Sequence, residues 1–295
     1  VKRQRLGLLD ALCVGNALCL HRLSNVAFAA IHLAPLGLLY TGLSRFDVAL
    51  CVALYFVRMF FITAGYHRYF SHRAYKMGRF MQFLMALGGS LCANKGVLWW
   101  AAHHRNHHRH SDSSKDAHTP QKGLYESHVG WIFRDDHVAT DYDRVKDLAR
   151  FPELVWLNKN HTIVLTLLGV ACFAAGGWSE FLSGFCLSTV LLWHGVFTIN
   201  SLAHLWGTRR FPTNDDSRNN FWLALITLGE GWHNNHHYYQ SSANQGFFWW
   251  EVDITYTILK LMRVLGLVHG LRRPPSRVLN AAAANRTVEA VRLQR

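Results

Sequence analysis

Charge is what this 295-residue chain has little of: Asp, Glu, Lys and Arg make up 17% of it, against 50% hydrophobic residues. Soluble domains carry about 25% charged residues, so the scarcity argues against a wholly water-facing protein. Acidic residues are the rarer kind, 18 against 31 Lys and Arg, which leaves a formal charge of +13. A surplus of that sign suits anionic lipid headgroups, acidic partners or nucleic acid, and beside long apolar runs it favours membrane lipids; no nucleic-acid partner is expected. Six cysteines stand at Cys13, Cys19, Cys51, Cys92, Cys172 and Cys186, most of them in apolar runs, and no CxxC occurs. That absence argues against a cysteine-rich zinc site or a disulfide framework and leaves buried thiols in a reducing compartment. Internal repeats and low-complexity linkers are absent too. A mean hydropathy of +0.03 is too low for spans alone, so a large polar portion accompanies them.

Four stretches approach the roughly 20 mostly apolar residues that a bilayer crossing needs: residues 25–43, 47–66, 162–178 and 180–204. Each neighbouring pair is joined by almost nothing, which predicts two helical hairpins. With both short turns on one side, nearly every Lys and Arg falls on the other, and the positive-inside rule makes that side cytoplasmic. The expectation is a multi-pass, all-α integral membrane protein with both termini cytoplasmic. Its transmembrane hairpins would cover about 25–66 and 162–204, a cytoplasmic cap about 67–161 and 205–268, and a basic tail 269–295. Arg58, inside the second span, reads as a snorkelling or helix-paired charge. Residues 1–20 imitate a signal peptide, but Asp10 and Asn16 interrupt the apolar run, so an amphipathic interface helix is expected. Residues 77–96 are also expected to lie in the interface rather than cross it.

The histidines are informative against this topology. "HRYFSH" supplies His67 and His72, "HRNHH" supplies His104, His107 and His108, "NSLAH" supplies Asn200 and His204, and "HNNHH" supplies His233, His236 and His237. All four groups fall at the cytoplasmic side of the expected spans. Residues i, i+3 and i+4 share a helix face, with Cβ atoms about 5 to 6 Å apart, so each HxxHH can aim three imidazoles one way. His67 and His72 are five apart, a poor match to helical spacing, and irregular backbone is expected between them. Imidazole titrates near 6.5, so such clusters bind a divalent metal at cytoplasmic pH without first losing many protons. Nine clustered histidines are too many for one ion and enough for two, zinc or iron by bond length. Glu230, one helical turn before His233, is placed to accept an outer imidazole N–H; Asp112, Asp116 and Asp216 are further candidates. Isolated His21, His32, His161, His194 and His269 read as satisfied core or surface residues. His103, His110, His118, His128 and His137 read as surface residues or partners of the ligands.

The boxes and the phrases around them, "TAGYHRYFSHRAYK", "SHVGW", "NSLAHLWGTR", "DSRNN", "GEGWHNNHH" and "WWEVDITY", resemble those of the integral-membrane fatty acid desaturases, and in particular the Δ9 branch typified by acyl-CoA (stearoyl-CoA) desaturases. The similarity runs from about residue 25 to 268. It implies one desaturase domain over residues 1–295, with four transmembrane helices in two hairpins under a cytoplasmic helical cap that holds a di-iron site. Carried over, the iron ligands are His67, His72, His104, His107, His108, His204, His233, His236 and His237, with Asn200 binding through a water. The cofactor implied is two iron ions, and the reaction is insertion of a cis double bond into a saturated acyl chain using O2 and two electrons. No HPGG haem motif occurs, so the resemblance implies a separate electron-transfer protein of cytochrome b5, ferredoxin or rubredoxin type, with its reductase. Two departures leave the carrier open between fatty acyl-CoA and acyl-lipid: Asp116-Ala117-His118 stands where Asp-Pro-His is usual, and Ala102 stands where animal acyl-CoA members carry a basic residue.

The chemistry agrees with the motif. An unactivated methylene has no acidic proton and no adjacent functional group, so acid–base and nucleophilic catalysis cannot begin there, and a metal-based oxidant must. A flexible acyl chain then needs a narrow apolar tunnel; Trp193 and Phe197 are candidate walls, or equally ordinary packing. Lys95, Arg105 and Lys122 are candidates to meet a headgroup or CoA phosphates. Two alternatives stand beside this reading. A histidine-box membrane hydroxylase would leave oxygen in its product, and a membrane metal-binding or transport protein would place ionisable residues along the depth of its spans.

Overall fold

The computed structural model describes residues 22–135 and 138–281. The expected helix over residues 1–20, His21, His137 and the tail beyond 281 lie outside the described residues. In chain order the main helices are α1 (Arg22–Thr41), α2 (Arg45–Ser71), α3 (Arg79–Ser90), α4 (Val97–His110), α5 (Pro152–Gly176), α6 (Trp178–Leu205), α7 (Phe221–Ile226), α8 (His233–Tyr238) and α9 (Ile254–Val264). Among the described residues β-structure is confined to Lys76–Met77 paired antiparallel with Val268–His269 and to isolated bridges.

Four of these helices, α1, α2, α5 and α6, are long and apolar enough to cross a membrane. Two of them run further than the hydrophobic pattern suggests: α2 continues through His67 to Ser71, and α5 begins ten residues earlier, at Pro152. α3 has 12 residues, too short to cross. It lies against α2 and α5, and the approach is close because Gly88 and Gly89 present no side chain; a Cβ at either would overlap the Phe61 or Tyr66 ring.

The turn between α1 and α2 is fixed by a capping box. Ser44 Oγ accepts from Asp47 N at 3.1 Å, and the Asp47 carboxylate accepts from Ser44 N at 2.8 Å. Asp47 is also bonded by Ser179 Oγ at 3.0 Å and Ser183 Oγ at 2.8 Å, which ties this turn to the start of α6. Midway along α2, Arg58 does not snorkel. It is 1% exposed and donates to Leu54 O, Leu91 O, Thr189 Oγ1 and Ser188 Oγ, so its donors are met by neutral acceptors from α2, α6 and the end of α3.

Two devices place the histidine-bearing segments. The first four N–H groups of a helix lack partners within it; at the start of α4, Asn158 Oδ1 of α5 accepts from Leu98 N at 3.0 Å and Trp99 N at 2.9 Å. The last part of α2, Phe61–Ser71, is wound as a π-helix, with His72 N donating to His67 O at 3.2 Å. Backbone between the first two histidines is therefore regular rather than irregular. Five residues is the hydrogen-bond period of this wider winding, which is rare and concentrates at functional sites.

Candidate metal centre

Nine histidines from α2 and the residue that caps it, α4, α6 and α8 converge into two groups. His67, His72, His104, His108 and His236 bring ligand nitrogens within 4.8 Å of one another, and His107, His204, His233 and His237 do the same. Neither HxxHH box aims in one direction, contrary to the expectation from spacing. α4 gives His104 and His108 to the first group and His107 to the second, whereas α8 gives His233 and His237 to the second and His236 to the first. The reason is angular: i+4 lies roughly 40° from i around a helix, but i+3 lies roughly 60° away on the other side. Each box thus spans both groups and each group joins both helices.

The rings are oriented from behind. Nδ1 of His67 is 2.5 Å from Glu230, Nδ1 of His107 is 2.9 Å from Asp116, Nδ1 of His204 is 3.0 Å from Asp112, and Nδ1 of His237 is 2.7 Å from Asp215. Asp112, Asp116 and Glu230 are carboxylates that the sequence suggests, but Glu230 serves His67 rather than His233 one turn away, whose Nδ1 has no hydrogen-bond partner. Asp216 is not such a partner; its backbone N–H donates to Asp112 at 2.6 Å, its side chain pairs with Arg209, and its neighbour Asp215 faces the imidazole. Asp215 lies in a loop, with no periodic relation to His237 to reveal it. Arg68 is also invisible to pattern reading. It is 1% exposed and bonds Glu230 at 3.0 Å and both Asp253 oxygens at 2.9 Å. Gln245 lies 3.3 Å from His67 Nδ1 and 3.4 Å from His236 Nδ1.

A carboxylate on Nδ1 fixes the proton there and leaves Nε2 as a lone pair. Across both groups Nε2 atoms face one another: His67 to His236 at 3.0 Å, His72 to His104 at 2.8 Å, His108 to His104 at 3.0 Å, and His204 to His233 at 3.1 Å. His237 Nε2 is buried with no hydrogen-bond partner. Converging nitrogen lone pairs repel unless a cation lies between them, so the donor set fits one metal ion in each group, and all-imidazole ligation suits iron or zinc. Burial holds His72, His104, His108, His233 and His236 well below the ordinary imidazole range, and the neighbouring imidazoles reinforce it. His237 sits at about 4 for the same reason, despite Asp215. Against its own burial, His107 is raised by Asp116.

Asn200 is partly buried near the end of α6, one turn before His204. Trp193 and Phe197 on the same helix are 6% and 4% exposed; Trp193 Nε1 donates to Ala93 O, and Phe197 packs on His128 and His194. His32, His194 and His128 form a hydrogen-bonded chain ending on Ser201 Oγ, and His161 bonds Asn158 O, so these are satisfied. His118 lies 3.7 Å from Asp116, and His103 stacks on Trp99. Of the candidate phosphate contacts, Lys122 is exposed. Lys95 rests its ammonium over Trp99, and burial lowers it to about 8. Arg105 spends its N–H groups on Ser71 O, Phe70 O, Arg144 O and both oxygens of Asp147.

Comparison with known proteins follows the same lines. Residues 45–260 match the fatty acid desaturase family model. The chain is 37% identical over 211 residues to an sn-2 palmitoyl-lipid 9-desaturase of Nostoc sp., covering 70% of this chain and 74% of the relative. It is 36% identical over 251 residues to an sn-1 stearoyl-lipid 9-desaturase of Synechocystis sp., covering 84% and 79%. It is 32% identical over 228 residues to an acyl-CoA C20 Delta5-desaturase of Anemone leveillei, covering 76% and 73%. The match spans most of the chain and includes every histidine of both groups, so the protein belongs to the fatty acid desaturase family and is an oxidoreductase.

Proposed function

We propose that this protein inserts a cis double bond at the Δ9 position of a saturated acyl chain carried by a membrane lipid. The observation that carries the reading is the pair of histidine groups with converging ring nitrogens, backed by carboxylates on the Nδ1 of His67, His107, His204 and His237. Two iron ions held there would supply, with O2 and two electrons, the oxidising power that an unactivated methylene requires. The protein's own part is positional. Glu230, Asp112, Asp116 and Asp215 hold the rings in one tautomer, and Asn200 stands beside His204 to reach the second ion through a water. The four long helices would form two hairpins, with the histidine groups in a cap on the cytoplasmic side and both termini there. Trp193 and Phe197 would wall the acyl tunnel.

A lipid carrier is supported by the names of the two cyanobacterial relatives and by the internal engagement of Lys95 and Arg105. Acyl-CoA is the second reading, favoured by exposed Lys122 and the name of the Anemone relative. Electrons would arrive from a separate protein of cytochrome b5, ferredoxin or rubredoxin type. The test is expression in cells that lack a Δ9 desaturase, followed by double-bond mapping of lipid-class fatty acids. New cis-9 chains, found first in intact lipids and lost in His104→Ala, are expected. An oxygenated product would point to a hydroxylase, and unchanged fatty acids to neither.

A further inference from the structure

Beside the second histidine group a cavity of about 400 Å³ opens to the surface, and its wall includes Ser111, Asp112, Gln121, Arg209, Asp215 and Asp216. Two of these face both ways: Asp112 and Asp215 line the cavity and also hold His204 and His237 from behind. Asp112 is 6% exposed and its Oδ1 has no hydrogen-bond partner; Ser111 Oγ in the same wall has none either. A buried carboxylate oxygen left bare is costly unless water or a cation meets it. Three carboxylates against the single guanidinium of Arg209 make the wall attractive to cations. The imidazoles behind it are buried, so an ion coming from solvent on this side must cross the wall. The first group differs: its carboxylate, Glu230, is 5% exposed and already paired with Arg68.

We propose that this cavity is an entry site, where carboxylate oxygens of Asp112, Asp215 and Asp216 capture a hydrated divalent cation before the imidazoles of the second group take it. The proposal rests on the reading that the nine histidines hold two ions. Hard oxygen ligands suit a cation that still carries water, and imidazoles suit the transition metal once dehydrated. A wall of net negative charge raises the local concentration of the ion and hence the rate of capture by about 10-fold.

The test follows cobalt(II) uptake by metal-depleted full-length protein in detergent, stopped with chelator at intervals and counted by elemental analysis. Gln121 and Asp216 line the wall, and neither belongs to the histidine groups or their Nδ1 partners. Gln121→Lys is expected to slow uptake about tenfold and Asp216→Asn several-fold, whereas Gln121→Glu speeds it. All three should still reach two equivalents with an unchanged melting temperature. Two equivalents taken up at the same rate in every variant would overturn the entry site alone. A fall in final stoichiometry in the variants would show that the wall holds the site together rather than feeding it, which also overturns the proposal. Wild-type protein that binds fewer than two equivalents would overturn the two-ion reading and the entry site with it.

Discussion

The two histidine groups share α4 and α8, the first adding rings from α2 and its end and the second adding one from α6, and they are electrically unlike. The first has five imidazoles and one carboxylate behind them, Glu230, whose charge is shared with Arg68. The second has four imidazoles and three carboxylates, Asp112, Asp116 and Asp215, each bonded to a ligand ring. A cation in the second group therefore sits in the more negative field, and imidazoles backed by carboxylates are the more basic donors. The lesson is that ligand count and holding power run in opposite directions here: the group with fewer rings should keep its ion longer.

Removing a ring separates the groups most sharply. His72→Ala should cost the first ion and His237→Ala the second, each leaving about one equivalent by elemental analysis and no detectable desaturation; loss of both ions from either variant would make the groups a single unit. Next comes Arg68→Met, which leaves Glu230 and Asp253 buried without their cation. Breaking a buried pair in this way costs about 3 to 5 kcal/mol, so a marked fall in melting temperature in detergent is expected, with iron lost first from the group that Glu230 backs. Asp215→Asn should weaken the second group by about 10- to 100-fold and reverse the order in which a chelator strips the two ions. The smallest effect belongs to Asp216→Asn, less than about twofold in equilibrium affinity, because its side chain touches Arg209 and no imidazole. An affinity loss equal to that of Asp215→Asn would erase the distinction between these neighbours.

Much of this was open to sequence reading, and the boundary has a physical basis. Long apolar runs and HxxHH spacing are local properties, so four long helices and all nine histidines could be named in advance. Spacing within one helix separates the i+3 ring from the i, i+4 pair, but which rings of α4 and α8 then share a group is decided by how the two helices face each other. Glu230 was legible as a carboxylate beside a histidine box, but its partner proved to be the distant His67 and not His233 one turn away. Asp215 and Arg68 were not, since their partners are 22 and 162 residues away along the chain. The apolar count showed where α2 could lie in a membrane, but not that it would continue through His67 to Ser71.

The wide winding of Phe61–Ser71 has a consequence for how this segment can change. A helix of that kind accommodates one residue more than the ordinary form over the same length. Away from His67 and Arg68, exchanging side chains along it alters packing only. Excising a single residue between His67 and His72 would let the stretch tighten and swing the second ring off its ion, so a deletion there should be far less tolerated than any conservative replacement.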